Sequence, residues 1–85
     1  MKAAKKLIQK LLSNPMPSEM DYRDVKLILE HEGWNVKRGG KHFIAKKAGE
    51  HLLTIPVHSE KEKVRKEILK QIIDRLNLEE KYEEE

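Results

Sequence analysis

Eighty-five residues hold one domain around one small core and leave no room for a second domain of useful size. A hydrophobic content of 38% set against 39% charged residues suits amphipathic helices and argues against a chain disordered throughout. The absence of cysteine excludes disulfides, Cys-containing zinc sites and a thiol nucleophile.

The formal net charge of +3 conceals an asymmetry. Glu79 to Glu85 contribute five Glu and one Lys, and without them 17 basic residues face 10 acidic ones, so residues 1–78 carry +7. Such an excess attracts phosphate backbones or acidic protein surfaces, although solvated basic faces also occur without a polyanionic partner. Met1 to Ile8 opens like a secretory signal, but Gln9 and Lys10 interrupt the apolar run far too early. No other stretch has the length to span a bilayer, and the expectation is a soluble, cytoplasmic protein with no membrane partner.

In chain order, Ala3, Ala4, Leu7, Ile8, Leu11 and Leu12 recur at helical spacing and predict an amphipathic first helix. Ser13-Asn14-Pro15-Met16-Pro17 cannot continue it, since proline lacks an amide donor and pushes its predecessor out of the helical region. A second helix starts near Ser18 or Asp21, carries Tyr22, Val25, Ile28 and Leu29 on one face, and stops at Gly33. Trp34–Arg38 and Lys41–Lys46 read as two strands joined by a tight turn at Gly39-Gly40, with Trp34 in the core. A second turn at Lys47–Glu50 leads to a third strand, His51–His58, which Pro56 places at an edge or near its end. Ser59 and Glu62 have the spacing of a capping box, so a long helix is expected directly after Ser59, with Val64, Ile68, Ile72 and Leu76 along its apolar stripe.

Alternation puts Phe43, Ala45, Leu53, Ile55 and Val57 on the sheet face that meets the helices, and His42, Ile44, Lys46, Leu52 and Thr54 on the other. His42 is thereby expected on an open, basic face with two aliphatic neighbours, a mixed patch that suggests a protein partner.

Gly39-Gly40-Lys41-His42-Phe43, then Leu53-Thr54-Ile55-Pro56-Val57-His58, then the basic stretch Lys61 to Leu76, resemble the HicA-like toxins over roughly Tyr22 to Leu76. In that family's pattern Gly40 and His42 hold the first motif, and Pro56 and His58 the second. Lys41 departs from the small polar residue common at its position and adds a cation beside His42. The resemblance implies a double-stranded-RNA-binding-domain-like fold. It also implies a metal-independent ribonuclease acting on messenger RNA, neutralised by a HicB-type antitoxin.

Histidine suits that chemistry because it titrates in the range useful to an acid or base, and RNA supplies its own nucleophile in the ribose 2′-hydroxyl. His42 is the candidate catalytic base, and His58 a secondary candidate that could instead serve to end its strand. Lys37, Arg38, Lys41, Lys46 and Lys47, with Gly40 at the turn, are the candidate RNA-binding set. His31, His42, His51 and His58 lack the spacing of a metal-ligand pair, so neither a metal nor a cofactor is expected. Gly39-Gly40 has no P-loop continuation.

The expected fold class is α+β in the order α-α-β-β-β-α, with a three-stranded antiparallel sheet packed on helices. Residues 1–17 form the leading helix and linker, 18–78 the RNA-directed domain, and 79–85 an acidic, frayed tail. The function expected is RNA endonuclease, with single-stranded messenger RNA and a HicB-type antitoxin as partners. The alternative is a non-catalytic RNA- or protein-binding module on the same fold.

Overall fold

The computed structural model describes residues 2–13 and 15–82; Asn14 of the expected linker and Glu83–Glu85 of the expected tail lie outside the described residues. Helix α1, Lys2–Leu11, buries Ala4, Ile8 and Leu11, one side of a helix at spacings of four and three. It packs against α2, Tyr22–His31, and therefore belongs to the same core as the rest of the chain. Val25, Ile28 and Leu29 face inward from α2, which ends as expected at Gly33, where φ is +91°. The amide of Gly33 donates to the Glu30 carbonyl and that of Trp34 to the Leu29 carbonyl, the paired bonds of a Schellman stop. Trp34 turns into the core, only 4% exposed.

Strands β2, Asn35–Gly39, β3, His42–Lys46, and β4, Leu53–Ile55, form the antiparallel sheet in the order β2-β3-β4. Phe43, Ala45, Leu53, Ile55 and, beyond β4, Val57 are all buried, whereas Lys46, Leu52 and Thr54 are exposed, so the alternation assigns both faces correctly. Tyr22 at the start of α2 lies against Phe43 with ring centroids 4.3 Å apart, which fixes the helix to the strand next to His42.

The expected order α-α-β-β-β-α is incomplete. Glu19–Asp21 form a short strand, β1, that pairs antiparallel with Lys63–Arg65, β5, in a second sheet. Met20 and Val64 point into the core from the middle of these strands, while Glu19 stands opposite Arg65 and Asp21 opposite Lys63. Val64 thus belongs to a strand rather than to a helical stripe, and helix α3 starts only at Lys66, running to Leu76. The capping box does not form. Ser59 Oγ accepts from the Lys61 amide, and the Glu62 carboxylate accepts from the amide of His58 rather than of Ser59.

Leu78–Tyr82 form a last short helix, α4, with Leu78 fully buried, so the acidic segment is helical up to Tyr82 where fraying was expected. Lys81 Nζ donates to Glu32 Oε1 at 2.8 Å and Tyr82 OH to Glu32 Oε2 at 2.6 Å, fastening α4 to the end of α2. Burial opposes ionisation of Glu32, but the bonds from Lys81 and Tyr82 outweigh it and hold the carboxyl below its ordinary value of 4.5. Its contribution to stability is therefore complete above that value and lost as pH falls through the lower folded one. The same bond to Glu32, followed by burial, pushes the Tyr82 phenol up to about 12. Burial, with Glu60 and Glu30 nearby, raises Tyr22 as well. Stability from these phenols is complete below their unfolded value of 10.0 and declines as pH rises toward the folded ones. At pH 10 the folded protein should show less phenolate absorbance than the urea-unfolded protein. Equal absorbance in the two states would show that the Glu32 contact is not made.

Candidate active site

Gly39 and His42 face one another as the last pair of the β2-β3 ladder, with Gly40 and Lys41 forming the two-residue turn between them. Gly40 has φ of +67° and Lys41 does not share the positive sign, the signature of a type II′ hairpin turn with glycine at its first central position. Gly39 serves a different need. A Cβ there would collide with Ile44 Cδ1, so its bareness lets the Ile44 side chain lie across the strand beside His42. The imidazole of His42 consequently sits half-buried at the end of the hairpin, on the open face.

The second histidine arrives from β4. The amide of Val57 donates to the Ile55 carbonyl at 2.8 Å, a three-residue turn centred on Pro56, whose ring-fixed φ suits that conformation. This bend ends the strand and carries His58 to His42, where the ring centroids are 5.6 Å apart and the planes cross at 76°. The backbone of His58 is held on both sides. Its carbonyl accepts from Arg38 Nη2 at 2.7 Å, and its amide donates to Glu62 Oε1 at 3.1 Å. Arg38 in turn lies over the Phe43 ring, 5.3 Å from its centroid, on the helix-facing side of the sheet.

The candidate cations do not form one cluster. Lys41 is exposed at the turn, and Lys37, across from Ile44, shares the open face with His42. Lys46 is paired with Asn35 at the other end of the ladder, about 13 Å of strand from His42. Lys47 is further still and is otherwise engaged, because its ammonium donates to the Glu32 carbonyl at 3.0 Å and caps the end of α2. Arg38 lies on the opposite face and acts on the site through the His58 carbonyl. Of the expected set, Lys37 and Lys41 remain near His42, with Gly40 shaping the turn. His31 ends α2 and His51 precedes β4, and no group of three or more potential metal ligands occurs among the described residues. Arg38 and Glu62 were missed as positioning residues, since their partnership with His58 rests on contacts that no local pattern encodes.

The structure is thus a small basic α+β domain that presents two neighbouring histidines at the mouth of a hairpin. The family model described as HicA toxin of bacterial toxin-antitoxin matches residues 22–78. The chain belongs to the HicA toxin family, the toxins of two-component systems in which a partner antitoxin opposes the toxin. No curated protein and no solved structure gave a significant match. No described helix is long and apolar enough to cross a membrane.

Proposed function

We propose that the chain is a metal-independent endoribonuclease acting on single-stranded messenger RNA in the cytoplasm, with His42 as general base, and that a HicB-type antitoxin neutralises it by covering the open sheet face. The observation that carries this reading is the contact of His42 with His58, 5.6 Å between ring centroids. RNA cleavage without metal needs a group that takes the proton of the ribose 2′-hydroxyl and a second that returns one to the leaving 5′-oxygen. Neutral His42 takes the first proton as the 2′-oxygen forms its bond to phosphorus; protonated His58 donates to the 5′-oxygen as that P–O bond breaks. Lys37 and Lys41 offer charge to the phosphorane from the same face. The family's expected likeness to double-stranded-RNA-binding domains supports an RNA ligand, and Ile44 with Leu52, the latter 55% exposed, supplies apolar surface for the antitoxin.

Incubating the purified protein with a long single-stranded RNA in EDTA tests this reading, with cleavage expected and an intact RNA contradicting it. Lys41 favours a second reading, a non-catalytic binder, because it replaces the small polar residue of the family's pattern with a phosphate-binding cation; RNA affinity that falls steeply with salt, without cleavage, would support it.

Arg38 is a positioning residue on this account. Arg38→Met should lower kcat by about 10- to 100-fold with little change in KM, since it removes the donor that holds the His58 carbonyl without touching substrate. Arg38→Lys, which keeps a donor for the carbonyl, should recover part of the rate. A loss confined to KM would instead make Arg38 an RNA contact.

A further inference from the structure

Beside the histidine pair, between the bend at Pro56, strand β5 and the first turn of α3, lies an open cavity of about 570 Å³, within the size range of small-ligand sites. Pro56 and Ile68 give it apolar surface, and Glu62 and Glu67 line it together with the Glu19–Lys63 ion pair, 3.6 Å apart. Two links tie it to His58: Pro56 and Val57 immediately precede that residue, and Glu62 Oε1 accepts the His58 amide at 3.1 Å. The Glu62 backbone is also fixed, its amide donating to the Ser59 carbonyl and its carbonyl accepting from the Tyr22 amide, so its carboxylate is set in place before any ligand arrives.

We propose that this cavity receives the nucleobase next to the scissile phosphate and selects guanine, with Glu62 as the specificity-determining residue. The placement of the phosphate rests on the ribonuclease reading; the cavity's preference rests on its own chemistry. A flat base needs apolar surface beneath its ring and polar partners at its edge, and the cavity has both. A carboxylate only accepts hydrogen bonds and has room for several, so Glu62 can hold the His58 amide and still receive more donors. Guanine brings adjacent donors, N1–H and the 2-amino group, whereas uracil brings one N–H between two carbonyl oxygens that a carboxylate repels. Arg65, also at the cavity and without a side-chain partner among the described residues, is available to the phosphate that follows.

The test is a nuclear magnetic resonance titration of the full chain with guanosine and uridine monophosphates, in which nothing is cleaved. Guanosine monophosphate should shift the Ile68 methyl resonance and the Glu62 and Glu67 backbone amides, and bind at least about fivefold tighter than uridine monophosphate. Glu62→Gln should abolish or reverse that preference, since its amide oxygen still accepts the His58 amide while its nitrogen adds a donor. Equal affinity for both nucleotides, shifts confined to His42 and His58, or an unchanged preference in Glu62→Gln would each overturn the proposal. Retained guanine selectivity in a protein that does not cut RNA would sink the ribonuclease reading and leave the cavity assignment standing; cleavage with no response from the cavity would do the reverse.

Discussion

His42→Ala should lower RNA cleavage by about 10²- to 10⁴-fold, the usual contribution of a general acid or base, and leave the circular dichroism spectrum unchanged. Both halves follow from where the residue sits. His42 is half-buried at the end of the hairpin, and its described side-chain interaction is the ring contact with His58. The fold around it is held by other groups: the Gly40 turn, the β2-β3 ladder and the Tyr22–Phe43 contact one residue on. Surface substitutions away from such features change stability by no more than about 0.5 kcal/mol. His58→Ala should cost less than His42→Ala if water can return the second proton, and the double variant should fall little below His42→Ala, since groups that act as one unit are not additive. An active His42→Ala protein would remove the base from the account, and an unfolded one would make His42 structural.

Ile8→Ala should destabilise the protein by about 2–5 kcal/mol, a large part of the roughly 5–15 kcal/mol available to a domain. The side chain is fully buried and belongs to the same core cluster as Ile28, Leu29 and Leu78, although it precedes the family match by more than a turn of helix. Helix α1 packs on both α2 and α4, so a cavity there loosens the contact that seats α4 as well. At about 4–8 °C per kcal/mol for a chain of this size, the thermal midpoint should fall by at least about 8 °C. A midpoint that does not move would mean that α1 is detached from the core in solution. The exposed neighbour Gln9 provides the control, since Gln9→Ala removes no packing and should leave the midpoint nearly in place.

The sheet and its faces were legible because all five residues of β3 follow the burial rule: Phe43 and Ala45 go in, His42, Ile44 and Lys46 do not. The turn was legible one residue out of register, since two adjacent glycines allow either pair at the centre and only the Gly39–His42 pairing decides between them. The second sheet was not legible. Three residues such as Glu19-Met20-Asp21 carry too short an alternation to stand out from a helix start, and Lys63-Val64-Arg65 fits an amphipathic helix equally well. The charge complementarity of the two segments was the available signal, and it has meaning only once they are brought together. The capping box failed for the same reason, because pairing of β5 with β1 takes the residues after Ser59 out of any helix until Lys66.

For the site, the two histidines were legible as motif positions, but their contact depends on the bend at Pro56 and on Arg38 and Glu62, whose bonds to His58 span 20 and 4 residues. The cation cluster was overdrawn because a strand places Lys46 as far from the turn as it places it near in sequence, and because the exposed C-terminal carbonyls of α2 compete for Lys47.

The most direct test of the central claim is to identify the ends of RNA cut by the wild-type protein in EDTA. Attack by the 2′-oxygen, with proton transfer by His42, leaves a 2′,3′-cyclic phosphate and a 5′-hydroxyl, and a substrate whose 2′-hydroxyl is absent at the cut position should survive. Products ending in 3′-hydroxyl and 5′-phosphate, or cleavage that stops when divalent ions are removed, would contradict the account.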